Sequence, residues 1–233
     1  MSEGAALFPG SGPRVQNHGC DGRGPSGREI VIATTNAGKV REIRAALEAV
    51  GWRVKAQSDF GEMPDVREDG PTYAANALKK AHTAATRLGL TALGDDSGLE
   101  VDVLDGAPGM YSARFAGVQA TDAQNRRLLL ERLRGIPGPR RGARFRCVMA
   151  LVSPRGVSRV VEGVVEGRIG EDETGDGGFG YDPIFVVERT GRTYAELPGD
   201  EKNRISHRAR ALAQICDLLI AEPAVWYRGN DGA

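Results

Sequence analysis

The sequence predicts an α/β fold in which helices flank a mixed central β-sheet. From residue 29 onward, apolar β-branched runs alternate with segments whose apolar residues recur at helical spacing, which is typical of this class. Glycines or capping residues bound most of these segments. Two long strand-like runs are joined by the short turn SPRG, so an antiparallel hairpin must belong to the sheet. We expect one elongated domain with two lobes over residues 29–222.

The first half of the domain is predicted to alternate strands with helices. EIVIATT, Glu29–Thr35, is a strand by its density of β-branched residues. A helix over about residues 40–50 follows, because its apolar side chains share one face and Gly51 ends it. WRVKAQ is a second strand. PTYAANALKKAHTAATRLG is an Ala-rich helix, with Pro71 near its first turn and Gly89 after its end.

The second half begins with LTALGDD, a strand that we expect to end in its two carboxylates, followed by LEVDVL. GAPGMYSARFAG is too rich in Gly and Pro to be regular throughout. TDAQNRRLLLERLRG is a helix, because Thr121 and Gln124 have the spacing of a capping box and Gly135 closes it.

The last third contains the predicted hairpin and a closing helix. ARFRCVMALV and VSRVVEGVVEGRI are its two strands, and DGGFGYDPIFVV is a glycine-rich loop that enters another strand. SHRARALAQICDLLIAE is a helix for which Ser206 is the natural N-cap. Residues 1–28, rich in Gly, Pro and Ser, are predicted to be a disordered extension, and residues 223–233 a loose tail.

Composition excludes several classes of protein. The 31 basic and 31 acidic residues balance, which argues against a general nucleic-acid or membrane-surface binder. No apolar run is long enough to span a bilayer, and the N-terminus lacks the pattern of a secretory signal. The cysteines Cys20, Cys147 and Cys216 are too widely spaced for a metal set. A reducing cytoplasm is the expected location.

The stretch TTNAGK resembles a phosphate loop but fails its pattern. Ala33 stands where the first glycine is required, and Val40 follows Lys39 in place of Ser or Thr. A strand followed by a short loop and a helix still presents free N–H groups to an anion, and Lys39 adds a charge. Asn36 and Gly38 can adopt positive φ and form an anion-binding turn. The alternative is an ordinary turn with a solvated lysine.

The stretch GDDSG places two carboxylates side by side. On an extended backbone Asp95 and Asp96 point to opposite sides, so one faces the site and the other braces it. Ser97 offers a hydroxyl beside them. Mg²⁺ is commonly held by one or two carboxylates together with substrate phosphates. The alternative is a plain polar turn, for which Asp, Ser and Gly are favoured.

Two further polar clusters lie near the end of the domain. In GGFGYDP, Phe179 and Tyr181 flank Gly180, an arrangement suited to stacking on a base, although rings near a strand are more often core. In EKNRISHRAR, Lys202, His207 and Arg208 lie at or before a helix start, where cations call for an anion or acceptor. The alternative there is a solvated basic face.

Together the clusters predict a nucleoside triphosphate ligand. Lysines suit phosphates, carboxylates suit Mg²⁺, and aromatic and hydrogen-bonding side chains suit a base. Two residues outside the clusters could join them: Glu68 as a second metal-binding carboxylate and Lys80 as a phosphate contact. Each of these alone is more often a surface residue.

Four motifs carry a resemblance to a known family. TTNAGKVREI, DDSGLEVDVLDGAPGMYSARFAG, GGFGYDPIF and EKNRISHRARAL occur in the order found in the Ham1/RdgB inosine triphosphate pyrophosphatase family, and the similarity spans about Glu29 to Ala221. The resemblance implies an ITPase-like fold with its active-site cleft between two lobes. It also implies an Mg²⁺-dependent, cytoplasmic homodimer that cleaves ITP, dITP or XTP to the monophosphate and pyrophosphate.

The resemblance also implies roles for individual residues. Asp96 would be catalytic, as metal ligand or general base, and Glu68 would be a second ligand. In two positions the chain departs from the family: Thr35 and Ala75 stand where many members have glycine and glutamate. The substrate would be contacted, from its phosphates to its base, by Thr34, Thr35, Asn36, Ala37, Gly38, Lys39, Lys80, Ser97, Phe179, Gly180, Tyr181, Asp182, Lys202, His207 and Arg208.

Three other functions remain open on the residues. A related house-cleaning pyrophosphatase would act on other modified nucleotides, and only a substrate panel separates it. A non-catalytic nucleotide sensor would keep the pocket without turnover, and the intact acidic pair argues against it. A phosphate-loop NTPase would release orthophosphate, and the missing glycine and Ser/Thr argue against that.

Overall fold

The computed structural model describes residues 28–227, so nearly all of the predicted N-terminal extension lies outside the described residues. Within that range the predicted α/β class is confirmed. The strands are β1 (Glu29–Ile32), β2 (Arg53–Ala56), β3 (Thr91–Val101), β4 (Pro108–Gly109), β5 (Gly142–Val152), β6 (Ser158–Ile169) and β7 (Phe185–Val187). The helices are α1 (Ala37–Ala49), α2 (Tyr73–Leu88), α3 (Asp122–Arg132), α4 (Gly199–Ile205), α5 (His207–Ala221) and α6 (Pro223–Trp226).

The sheet is mixed, as predicted. Its order is β2-β1-β3-β5-β6-β7, with β4 paired to β3. β1 pairs in parallel with β2 and β3, because helical crossovers connect them, whereas the β5–β6 hairpin and its neighbours are antiparallel. The long β3 therefore joins the parallel part of the sheet to the antiparallel part.

Three apolar cores cover the sheet. α1, α5 and α6 pack on one face of its parallel part, around Leu47, Ile215 and Trp226. The Ala-rich α2 packs on the opposite face, where its small side chains allow a close approach to the strands. A separate core around Leu129, Phe185 and Tyr194 fills the antiparallel end with α3 and β7. The parallel end and the antiparallel end of the sheet thus have their own cores. The cleft described below is lined by residues from both ends of the sheet.

The prediction that a strand ends at GDDSG is wrong, because β3 runs unbroken through it. Asp95 and Asp96 pair with Met149 and Val148 of β5. The neighbouring glycines serve close packing and not a turn: a Cβ on Gly94 would lie 2.2 Å from the carbonyl oxygen of Ala77 on α2. The acidic pair is therefore held in a central strand, more rigidly than a loop would hold it.

The chain end also differs from expectation. The prediction of a loose tail from Pro223 is wrong for the described part, since Pro223–Trp226 forms α6 and Trp226 is fully buried in the core. The Trp226 indole nitrogen donates to the Leu218 carbonyl, and the Trp226 carbonyl accepts from the Thr91 hydroxyl. α4 was not predicted either. None of the helices within residues 28–227 has the length and apolar character needed to cross a membrane.

Candidate active site

A cleft of about 290 Å³ lies where the two ends of the sheet meet. It collects side chains from the β1–α1 turn, β3, the loop before β7 and the start of α5. Of the residues predicted to act, Ala37, Gly38 and Lys80 do not line it. Those that do are Thr34, Thr35, Asn36, Lys39, Glu68, Asp96, Ser97, Phe179, Gly180, Tyr181, Asp182, Lys202, His207 and Arg208.

The turn after β1 is built as a helix cap. Asn36 has φ −73° and its side chain accepts the Lys39 N–H at 3.1 Å, while Gly38 already belongs to the first turn of α1. The predicted positive-φ turn is therefore wrong. Gly38 instead lies under the Phe179 ring, where a Cβ would approach the ring carbons to 3.0 Å. Asn36 and Lys39 bring the N-terminus of α1 to the cleft, where the positive end of the helix dipole favours an anion.

Lys39 is held by Asp95 and is not freely solvated. Its Nζ lies 2.8 Å from Asp95 Oδ2, and Arg208 Nη2 lies 3.9 Å from the same oxygen. Asp95 is fully buried and does not line the cleft. Burial alone would raise its pKa, but Lys39, Arg208 and Lys80 together lower that pKa to about 2. Of the two adjacent aspartates, Asp95 is therefore the one that holds the cationic side chains of Lys39 and Arg208 in place at the cleft.

This ion pair predicts an acid-dependent stability. Because the folded-state pKa of Asp95 lies below its unfolded value, its contribution is present above about pH 4 and lost as pH falls toward about 2. The shift corresponds to about 2 kcal/mol of unfolding free energy. Urea unfolding of wild type and Asp95→Asn should show a gap in unfolding free energy at pH 7 that narrows below pH 4. A gap that does not change with pH would contradict this account, and Asp105→Asn, at an exposed carboxylate, is the control.

Asp96 faces the opposite side of β3 and lines the cleft. Its Oδ2 accepts from Asn76 Nδ2 at 2.9 Å and its Oδ1 accepts from the Ser97 N–H at 3.0 Å. Burial raises the pKa of this carboxyl, although Lys80 and the Asn76 hydrogen bond oppose the shift. The carboxylate is therefore oriented by two donors and more basic than a solvated aspartate, as a ligand or a proton acceptor requires.

Lys80 does not line the cleft but pairs with the cleft carboxylate Glu68. Its Nζ donates to Glu68 Oε1 at 2.7 Å, and its side chain is almost buried. Burial would lower its pKa, but Asp95, Glu68 and Asp96 raise it, so the ammonium persists. The predicted direct phosphate contact is not supported, because Lys80 pairs with Glu68 behind the cleft wall.

Asp96 and Glu68 are the carboxylates available to a metal ion among those predicted. Within residues 28–227 there is no group of three or more His, Cys, Asp or Glu side chains placed as a complete metal site. Two carboxylates on one cleft wall do fit Mg²⁺, which keeps several waters and takes its remaining ligands from substrate phosphates. They would not fit a closed structural zinc site.

The other end of the cleft is aromatic and cationic. Phe179 is half-buried, with Lys202 Nζ 4.6 Å from its ring centroid. Lys202 also donates to Asp182 Oδ2 at 2.6 Å, and the same oxygen accepts the Phe179 N–H at 2.8 Å. Tyr181 is different: its ring is buried and its hydroxyl donates to the Ser112 carbonyl, so it is mainly a core residue. Phe179 is the ring that can stack on a ligand.

His207 and Arg208 each keep one buried polar atom without a partner among the described residues. The His207 ring stacks on Phe145 at 4.7 Å, and burial together with Arg208, Lys202 and Lys39 lowers its pKa, so it is neutral at pH 7. Arg208 donates to Glu42 Oε2 at 2.6 Å and to Ser97 Oγ at 3.2 Å. His207 Nδ1 and Arg208 Nε remain unpaired. Buried polar atoms without a partner are rare in folded proteins, and they mark this end of the cleft as a functional region.

Sequence reasoning missed several residues of the cleft. Gly98, Met110, Ser112, Ala113, Asp122 and Phe145 line it, and Glu42 supports it from α1. Glu42 follows Lys39 by three residues and so lies on the same side of the helix, a signal that was available in the sequence. Phe145 carried no such signal, because only the pairing of β5 with β3 and β6 places it beside His207.

Known proteins resemble this chain over most of its length. The profile of the Ham1 family matches residues 30–218. A dITP/XTP pyrophosphatase from Bacillus licheniformis is 48% identical over 192 residues, covering 82% of this chain and 98% of that protein. One from Geobacter sulfurreducens is 50% identical over 190 residues, covering 82% and 96%. The solved structure of a HAM1 protein from Coxiella burnetii superposes with a TM-score of 0.76 at 42% identity, covering 83% and 98%.

Proposed function

The chain belongs to the Ham1 family, and from that premise we propose that it hydrolyses non-canonical purine nucleoside triphosphates, namely ITP, dITP and XTP, to the monophosphate and pyrophosphate. It is a hydrolase acting on a phosphoric anhydride. The role that follows is removal of deaminated purine nucleotides before polymerases use them.

One observation carries the proposal: a single cleft holds a carboxylate and lysine end and a base-recognising end. Lys39 and the N-terminus of α1 offer positive charge to phosphates near Asp96. Phe179 offers a ring face, and the hydrogen-bonding residues His207 and Arg208 line the same cleft. A nucleoside triphosphate would contact both ends of the cleft, whereas a phosphate alone would contact only the carboxylate and lysine end.

The chemistry follows from these positions. Mg²⁺ bound at Asp96 and Glu68 would neutralise charge that develops on the phosphates. Lys39 shares that charge, and Asp95 keeps the ammonium in place. The Asp96 carboxylate lines the cleft, where it would orient the attacking water. Attack at the α-phosphorus releases pyrophosphate and leaves the nucleoside monophosphate.

Selectivity against ATP follows from atom 6 of the purine. Hypoxanthine and xanthine carry an oxygen acceptor there, whereas adenine carries an amino donor. An arginine can only donate, so an Arg208 N–H group at the cleft would be satisfied by the first and opposed by the second. A panel of triphosphates with Mg²⁺ tests the proposal: we expect kcat/KM for ITP, dITP and XTP to exceed that for ATP by about 10³ or more. Equal rates on ITP and ATP would overturn it.

The metal requirement has its own test. EDTA should abolish turnover and Mg²⁺ should restore it. Glu68→Gln removes one of the two carboxylate charges, so the Mg²⁺ concentration for half-maximal rate should rise about tenfold. Asp69→Asn is the matched control, because Asp69 is exposed and pairs with Lys79. A Glu68 variant with an unchanged Mg²⁺ dependence would remove Glu68 from the metal site.

Assembly and location are proposed on family resemblance. A homodimer is supported by membership of the family and by the exposed apolar side chains Tyr111 and Val118, and light scattering measures its mass. A cytoplasmic location agrees with the balanced charge and the role in the nucleotide pool.

A house-cleaning pyrophosphatase for other nucleotides would show preference for another member of the panel. A sensor would bind ITP without releasing pyrophosphate.

A further inference from the structure

Helix α3 hydrogen-bonds to the main chain of residues 175–182, here called the aromatic loop. The contact is at Gly180, the residue between Phe179 and Tyr181. Asp122 Oδ2 accepts the Gly180 N–H at 2.8 Å. Arg126 Nη1 donates to the Gly180 carbonyl at 2.8 Å. Both backbone groups of one residue are therefore held by two side chains that lie one helical turn apart.

The composition of the aromatic loop makes it costly to order, so hydrogen bonds that restrain it matter. Residues 171–178 are exposed, and GDGGFG, residues 175–180, contains four glycines. Glycine loses more conformational freedom on ordering than any other residue, so this loop is costly to fix. Gly180 itself adopts φ +63°, and an added Cβ would meet no atom within 4 Å. The space beside its Cα is open, so its own N–H and C=O are held by Asp122 and Arg126.

α3 is a firm support for this purpose. Leu129 and Leu133 at its far end are buried in the core of the antiparallel end. Asn125 is buried, donates to the Ala113 carbonyl and accepts the Ala116 N–H. Since Ala113 lines the cleft, the same helix fixes two segments of the cleft wall. Arg126 also forms an ion pair with Glu173 at 2.9 Å.

We propose that Asp122 and Arg126 are positioning residues for base binding, which set the aromatic loop against the purine by clamping Gly180. This inference rests on the proposed function, because it concerns the same cleft. It goes beyond it in assigning a role to α3, of which only Asp122 lines the cleft. Lys39 and Asp96 belong to other elements, so the clamp affects binding of the base and not the phosphate chemistry.

Arg126→Ala tests the clamp without removing a group from the cleft wall. We expect KM for ITP to rise about tenfold, from the loss of a charge-assisted hydrogen bond, with kcat within about twofold. Inhibition by inorganic pyrophosphate should be unchanged. Arg127→Ala, at an exposed neighbour on α3, and Glu173→Ala, which removes only the ion pair, are the matched controls.

Asp122 supplies a rescue test. Asp122→Ala should raise KM in the same way, whereas Asp122→Asn keeps an acceptor oxygen and should stay within about threefold of wild type. If Asp122 acted only through its charge at the start of α3, Asn would be as damaging as Ala. That result, or a loss in kcat with KM unchanged, would overturn the clamp.

Amide hydrogen exchange in the free protein separates this inference from the proposed function. Asp122→Ala should speed exchange of the Gly180 N–H, and the peptide covering residues 175–182 reports it without any substrate. Exchange rates equal to those of Arg127→Ala would contradict the clamp even in an active enzyme. Faster exchange in a protein that does not hydrolyse ITP would leave the clamp standing and overturn the function.

Discussion

Replacing Asp96 with asparagine is expected to lower kcat for ITP by about 10³ while the protein remains folded. Asparagine has the same shape, and its single amide oxygen can keep one of the two hydrogen bonds that Asp96 accepts, from Asn76 Nδ2 or from the Ser97 N–H. What it loses is the negative charge and the basic site, which metal binding and proton acceptance both require. The effect should therefore fall on turnover.

Steady-state kinetics and a thermal unfolding curve measure this prediction together. Asp102→Asn is the control, because Asp102 follows the same strand but pairs with Arg144 outside the cleft. Near-normal turnover in Asp96→Asn would remove Asp96 from the catalytic role. The same kcat loss accompanied by a fall of many degrees in Tm would mean that the substitution acts through folding.

Replacing Arg208 with lysine is expected to lower the ITP/ATP ratio of kcat/KM by about 10². Arg208 lines the cleft and donates to Glu42 and Ser97 with its terminal nitrogens, while its buried Nε has no partner among the described residues. Lysine retains the positive charge beside Asp95, but it has one donor centre and cannot serve all three partners. Because the lost contact discriminates oxygen from an amino group, ITP should lose much more than ATP.

The measurement is a pair of kcat/KM values, on ITP and on ATP, for each variant. Arg204→Ala, at an exposed position of α4, should leave both values unchanged. If Arg208→Lys and Arg208→Ala kept the wild-type ITP/ATP ratio, Arg208 would not be the donor that reads atom 6. The discrimination would then have to reside in another side chain of the cleft, such as His207.

The sequence was sufficient for the fold class and for most cleft residues, because those depend on local patterns. Periodicity located α1, α2, α3 and α5, and capping residues such as Ser206 and Thr121 lie where expected. The opposite orientations of Asp95 and Asp96 followed from the alternation of an extended chain alone. That inference holds although the expected strand end does not, since it needed only an extended backbone.

The failures share a cause, which is that distant packing decided between local options. GDDSG has the composition of a turn, but pairing with β5 and the close approach of α2 keep it extended. Gly38 could have adopted positive φ, but the helix begins before it and Phe179 occupies the space of a side chain. α6 looked like a tail because four residues carry little periodicity, and burial of Trp226 is a tertiary fact.

Lys80 illustrates the same limit within the site. Its place on an amphipathic helix left two options, a surface lysine or a phosphate contact. The structure gives it a third, a buried counter-ion for Glu68 that also lies near Asp96. No pattern in the sequence around Lys80 identifies a partner twelve residues earlier in an irregular segment.

Identification of both products from ITP tests the central claim most directly. The purified protein is incubated with ITP and Mg²⁺, and the nucleotide and the inorganic product are separated and quantified. The account predicts equal amounts of IMP and pyrophosphate, with ATP spared under the same conditions. IDP with orthophosphate would show cleavage at the γ-phosphorus, and that result would contradict the account.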